Sequence, residues 1–351
     1  MAQTVHDLET PAVLVDLDRL AANIGKLQSY LSGHAIANRP HIKTHKIPEI
    51  AHMQLKGGAT GITCQKLGEA EVMADAGIKD IFLPYNILGG AKLARLVALV
   101  KRVTMAVTAD SAETVAGLSS AMTTAGLTLP VWVEFETGAG RCGVQTPAEG
   151  VALAQAIGRS PGLRFGGLMA YPHNEKTDPF VAESRALLAK TGIAPGGVSL
   201  GCTAKMWQAH ERRGVTEYRA GMYTYGDRST LKAGSMTLAD CAFRIAATVV
   251  SRPTADRGIL DAGSKTLSSD LIGLTGHGLI LEYPEAMIPV LTEEHGHADF
   301  SACARKPKIG ERVHIIPNHC CPVTNLTDTV HGMRGERVEV SWRVAARGRV
   351  Q

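Results

Sequence analysis

The 351-residue chain contains no hydrophobic stretch long enough to span a bilayer, and residues 1–11 have no apolar core of an export signal. A membrane protein is therefore not expected. The basic residues form no long block and the formal charge is only +4, so nucleic acid is not an expected partner. Seven cysteines are scattered except for the pair Cys320-Cys321. An odd count without an export signal suits reduced thiols in the cytoplasm rather than a disulfide framework. No Gly-x-Gly-x-x-Gly follows the first strand-like run, which removes the usual mark of a dinucleotide-binding sheet. With 45% hydrophobic and 20% charged residues, the composition is that of an ordinary globular enzyme.

Against these absences, Arg39-Pro-His-Ile-Lys-Thr-His-Lys46 puts three cations and two imidazoles into eight residues. Neighbouring positive charge disfavours the ammonium form of Lys43, which is what a nucleophilic or Schiff-base lysine needs. A solvated basic loop is the competing reading of these eight residues.

The chain around this stretch is periodic. After a strand at 12–16 and an amphipathic helix from Leu17 to about Gly33, strand-like runs fall at 35–39, 60–64, 80–85, 103–108, 129–135, 163–170, 197–200 and 216–222. Helical patterns at 66–76, 91–100, 112–125, 148–157 and 180–190 separate them. This alternation predicts an α/β fold, a (β/α)8 barrel over residues 17–240, in preference to a doubly wound sheet. Beyond 240 the runs 243–250, 258–261, 286–291, 312–316 and 337–343 are short, separated by turn residues, and show no helical period. They predict an all-β domain over 241–351, completed by the N-terminal strand within 1–16.

Active-site groups of a barrel lie at the C-terminal ends of its strands. Those ends carry Lys43, Gln65, the loop Glu136-Thr-Gly-Ala-Gly-Arg-Cys-Gly143 with Arg141, Tyr171-Pro-His173, Ser199-Leu-Gly-Cys-Thr203 and Arg219-Ala-Gly-Met-Tyr223. Glycine loops after the seventh and eighth strands are where barrels cradle phosphate. A lysine, an arginine and two such loops on one rim fit pyridoxal 5'-phosphate (PLP). In that reading Lys43 forms the Schiff base, and the phosphate lies on Gly201, Cys202 and Thr203 and on Gly221, Met222 and Tyr223.

These motifs, with Gly140-Arg-Cys-Gly143, Asp261-Ala-Gly-Ser-Lys-Thr-Leu-Ser268 and Pro317-Asn-His-Cys-Cys-Pro322, resemble the D-threonine aldolase / eukaryotic-type D-serine dehydratase family over essentially the whole chain. The resemblance implies an alanine-racemase-like, fold-type III PLP enzyme working as a homodimer. It implies that Lys43 carries the cofactor and that Arg141 and Tyr171 lie near its ring. Taken by itself, His319-Cys320-Cys321 reads either as a buried cysteine pair beside a structural histidine or as two metal donors. If the segment is extended, His319 and Cys321 share a face and Cys320 points away. The resemblance implies the metal reading, with Zn2+, Mn2+ or Mg2+ as the ion.

The expected substrate is a small D-3-hydroxy amino acid. If Lys43 removes the α-proton while the metal polarises the β-hydroxyl, water is lost and a 2-oxo acid and ammonia result. If a base takes the hydroxyl proton, with His173 as the candidate, retro-aldol cleavage gives glycine and an aldehyde. In the family His-x-Cys resembles the dehydratases and His-x-Asp the aldolases, so the sequence leans to dehydration. A racemase would need a second base, often a tyrosine of the β domain, where Tyr283 is the only one beyond residue 240. A PLP carrier without catalysis would not need the metal pair.

Overall fold

In a computed structural model, residues 3–351 are described; residues 1 and 2 of the expected N-terminal strand segment lie outside them. The chain forms two compact units. One comprises 27–43, 50–221 and Arg349–Gln351; the other runs up to Lys26, then takes Thr44–Glu49 and Met222–Gly348.

The first unit is the parallel barrel. Its strands are Ala37–Asn38, Ile62–Thr63, Asp80–Leu83, Thr104–Ala109, Leu129–Glu134, Leu163–Ala170, Gly197–Leu200 and Glu217–Tyr218. From the second onward each pairs with the next in parallel, and the last pairs with the first. A parallel bridge between His41 and Thr63 closes the ring, helped by the Thr63 hydroxyl donating to the Arg39 carbonyl at 2.8 Å. Val107, Val131 and Val133 are wholly buried, as strands covered on both faces must be. The intervening helices carry their own boundary signals. Ser111 caps Ala112–Ala125, which ends at Gly126 in the left-handed region (φ 66°), and Thr146 with Glu149 forms a capping box for Pro147–Arg159.

The second unit is a mainly antiparallel nine-stranded sheet. Ala12–Asp16 lies inside it, antiparallel to Phe243–Ser251 and parallel to Thr329–Arg334. Paired on both edges, its Leu14 and Val15 are fully buried, which accounts for its unbroken apolar run. Strands Leu279–Ile280, Gly296–Asp299 and Thr329–Arg334 were not read from the sequence. The absence of helix beyond 240 needs correction too, because Ser264–Leu267 and Cys320–Leu326 are helical. Helices of four and seven residues make at most two turns, too few for a 3.6-residue period to register.

The sequence reading placed the boundary between 240 and 241, whereas the compact units change between Gly221 and Met222. Residues 222–240 are tied to the β-rich unit by hydrogen bonds. The Arg228 and Ser229 N–H groups donate to the Pro317 and Asn318 carbonyls (3.0 and 3.2 Å) and the Ala242 N–H to the Tyr225 carbonyl (2.7 Å). Among the described residues no helix is long and apolar enough to cross a membrane.

Candidate active site

Lys43 lies in the 3-10 turn Ile42–Thr44, just past the C-terminal end of the first barrel strand. Its backbone N–H donates to His41 Nδ1 (3.3 Å), which leaves Nε2 to carry the ring proton and donate to Gln65 Oε1 at 3.0 Å. Gln65 is thus tied to the lysine segment through His41. Lys43 Nζ is 5.8 Å from the centre of the Tyr171 ring, and the Arg141 guanidinium is 4.8 Å from the same centre. The fold therefore gathers Lys43 and Arg141 around the Tyr171 ring.

Arg141 is held by carboxylates the sequence reading did not use. Its Nη2 donates to the buried Glu134 Oε1 at 3.0 Å, and its backbone N–H to Glu136 Oε2 at 2.9 Å. Burial pushes the Glu134 carboxyl up, with Arg141 opposing. Burial also acts on Glu136, but four loop N–H groups donating to it outweigh that and hold it low. Gly143 closes this loop at φ 116°, where a Cβ would stand 2.6 Å from the Glu136 nitrogen. Only glycine fits there.

The two glycine segments expected to cradle phosphate meet. The Gly221 N–H donates to Thr203 Oγ1 at 3.3 Å, and a Cβ at Gly201 would sit 2.9 Å from the Arg219 carbonyl oxygen. The Tyr218 hydroxyl donates to the Cys202 carbonyl at 2.6 Å. Met222 and Tyr223 belong to the 3-10 turn Met222–Thr224 of the other unit. Arg219, to which the sequence reading gave no role, is buried beneath these loops. It donates to Ser199 Oγ (2.8 Å) and to the Ala170 carbonyl (3.0 Å), and burial lowers it to about 10. Its signal was a cation inside an apolar strand run.

Glycine at close-approach positions, donors directed at one loop pair and a lysine on the rim are what a phosphorylated aldehyde cofactor requires. These residues fit PLP.

His173 is placed differently from Lys43, Arg141 and Tyr171. Its ring is buried, and Nε2 lies 2.8 Å from the Tyr218 hydroxyl and 3.2 Å from the Lys205 carbonyl. Burial lowers it to about 4.

In the β-rich unit, His319 and Cys321 come together by a route other than the one expected. The segment is not extended: His319 caps the N-terminus of Cys320–Leu326, and Cys321 lies in that helix's first turn. Strand alternation therefore does not separate Cys320 from its neighbours. Cys320 is buried and its N–H donates to Asp227 Oδ2 at 2.9 Å. The His319 imidazole and the Cys321 thiol each favour the other's charged form. Asp270 Oδ2, 2.7 Å from His319 Nδ1, takes that nitrogen and leaves Nε2 for the sulfur or a metal.

The Cys321 thiol is held well below its ordinary range. The neighbouring Cys320 thiol, the His319 imidazole and the Thr44 hydroxyl, 3.4 Å from the sulfur, together overcome burial. For His319 burial opposes charge, yet the bonds to Cys321 and Asp270 lift it to about 9. A thiolate and an imidazole sharing a proton, with a carboxylate orienting the ring, form a donor set that a divalent ion enters by displacing the proton. Among the described residues no group of three such side chains forms. Two donors leave coordination places for water or substrate. The sequence reading missed Asp270, Asp227 and Thr44, none of which is near His319 in sequence.

Residues 15–229 match the alanine racemase N-terminal domain, and residues 242–333 match the putative serine dehydratase domain. A D-threonine aldolase of Arthrobacter sp. is 35% identical, covering 97% of this chain and 93% of the relative. The chain belongs to the D-threonine aldolase / D-serine dehydratase family. Like its relatives in this family of fold-type III PLP enzymes it is a lyase. A D-threo-3-hydroxyaspartate dehydratase of Delftia sp. is 31% identical, covering 92% of this chain and 93% of the relative. Among solved structures, a D-threonine aldolase from Filomicrobium marinum superposes with a TM-score of 0.91 at 31% identity, covering 100% of this chain and 99% of that one. Solved forms of the Delftia dehydratase superpose at 0.86 and 27% identity, covering 97–98% of this chain and 96–98% of theirs. They include a His→Ala mutant and a Cys→Ala mutant two positions further on, the latter in the metal-free form.

Proposed function

We propose that this family member is a PLP- and divalent-metal-dependent dehydratase of D-3-hydroxy amino acids such as D-serine or 3-hydroxy-D-aspartate. The observation that carries the reading is the His319–Cys321 pair, oriented by Asp270 and with its sulfur held toward the thiolate. Its His-x-Cys spacing equals that of the two mutated positions in the Delftia dehydratase, whose cysteine mutant is described as metal-free. A soft sulfur donor beside imidazole suits Zn2+.

In this reading Lys43 holds the cofactor, Gln65, Arg141 and Tyr171 surround it, and Gly201, Cys202, Thr203, Gly221, Met222 and Tyr223 receive its phosphate. When bound, PLP withdraws electrons from Cα and the metal eases departure of the β-hydroxyl. Lys43 takes the α-proton, and Arg141, held in place by its hydrogen bond to Glu134, orients the substrate carboxylate. Loss of one proton from Cα and one hydroxide from Cβ leaves an enamine that hydrolyses to ammonia and a 2-oxo acid. The homodimer expected from the family resemblance and a reducing cytoplasmic setting belong to the same proposal. None of the seven cysteines is in a disulfide.

A second reading, retro-aldol cleavage, is favoured by the identity to the Arthrobacter aldolase and by a 30% identity to the 3-hydroxy-D-aspartate aldolase of Paracoccus denitrificans. It needs a base for the hydroxyl proton. His173 fits that task poorly, because its lone pair, at Nδ1, is buried and burial lowers the ring to about 4. Incubating holoenzyme with D-serine and D-threonine and identifying the products separates the two. Pyruvate and 2-oxobutyrate with ammonia support dehydration; glycine and acetaldehyde from D-threonine overturn it.

A further inference from the structure

His173 faces away from the expected chemistry and toward the backbone of a cofactor loop. The hydrogen bonds fix which way each proton points. A carbonyl can only accept, so the Tyr218 hydroxyl donates to the Cys202 oxygen (2.6 Å). The Lys205 carbonyl, 3.2 Å from His173 Nε2, can also only accept, so Nε2 carries the ring proton. That N–H is then shared between the Lys205 carbonyl and the Tyr218 oxygen at 2.8 Å. His173 Nδ1 is left as a bare lone pair, buried without a partner. The neutral ring is thus a fixed donor.

This relay ends on a peptide group. Because the peptide unit is planar and trans, its C=O and the following N–H point in opposite directions. Holding the Cys202 oxygen on the Tyr218 hydroxyl therefore aims the Thr203 N–H away from Tyr218. Tyr218 is itself closely packed: it is fully buried, lies on the last barrel strand and meets the His173 ring edge-on with centroids 5.5 Å apart. Beside the aimed peptide, Thr203 Oγ1 accepts from the Gly221 N–H, so the two glycine segments are registered against each other.

We infer that His173 and Tyr218 are positioning residues that aim the Thr203 N–H at the phosphate of the cofactor. The inference rests on the proposed placement of PLP phosphate on this loop pair and adds what holds the loop in its binding conformation.

The test compares the affinity of apoenzyme for PLP and for pyridoxal, which lacks the phosphate, by visible absorbance, in wild type, Tyr218→Phe, His173→Phe and His173→Gln. The dissociation constant for pyridoxal divided by that for PLP reads phosphate contacts and cancels ring contacts. Losing one well-aimed donor should lower that ratio about tenfold in Tyr218→Phe and His173→Phe. His173→Gln, which keeps a side-chain N–H, should restore at least part of it. The 31P resonance of bound PLP should shift in the two Phe variants. A wild-type ratio in folded Tyr218→Phe overturns the relay, as does an equal weakening of PLP and pyridoxal. If wild type itself binds the two alike, the phosphate placement is what fails.

Discussion

Two histidines, one in each compact unit, show how partners decide what burial does to an imidazole. His319 is flanked by a thiolate and a carboxylate and is raised to about 9; His173 is flanked by a hydroxyl and a carbonyl and is lowered to about 4. Burial opposes the charged ring in both. Only around His319 does negative charge repay that cost, so only that region is built to hold a cation. The region around His173 is built to hold a dipole in place.

Removing the charge that distinguishes the His319 region should have the largest effect. Cys321→Ala should lower turnover by about a thousandfold or more, since polarisation by the ion contributes several kcal/mol. Metal content of the purified variant, measured by mass spectrometry, should fall with it; full activity would remove the ligand assignment. Cys320→Ala should also have an effect, because its thiol supports the Cys321 thiolate.

The contrast can next be sharpened with pH. His173 takes up a proton near 6.5 when unfolded and near 4 when folded. Between those values the unfolded chain binds more protons, so stability is full above pH 6.5 and is lost as pH falls toward 4. The loss amounts to about 3 kcal/mol. Denaturant unfolding across this range should show it, and His173→Gln should flatten that part of the profile. An unchanged slope would mean that the ring is not buried neutral.

A smaller effect is expected one step out from the ligands. Asp270→Asn keeps the shape but not the charge at His319 Nδ1. Metal affinity should weaken about 10- to 100-fold by competition titration. Unchanged affinity would leave Asp270 as a surface partner only.

Most of the barrel was legible because each strand is an apolar run flanked by a helix long enough to show its period; 129–135, 163–170 and 197–200 correspond to Leu129–Glu134, Leu163–Ala170 and Gly197–Leu200 almost residue for residue. Gly296–Asp299 was not, since its His297 and Asp299 break the apolar pattern of a strand held by its neighbours. The identities of His319 and Cys321 were legible from their spacing, but their geometry was not. A helix of seven residues brings them together where an extended strand was expected. Asp270, 49 residues from His319, left no local signal. His173 could be read as a strand-end residue, but not that its ring turns to Tyr218, 45 positions away. Contacts across such separations are written in the fold and not in the neighbouring sequence.

The most direct test of the account removes the metal and leaves the cofactor. Holoenzyme treated with EDTA should keep its visible absorbance and lose turnover of 3-hydroxy-D-aspartate, and Zn2+ should restore it. Borohydride reduction of the same chelated sample should fix PLP to the peptide containing Lys43. Turnover that survives complete metal removal, or label on Lys46 or on no lysine, would contradict the account.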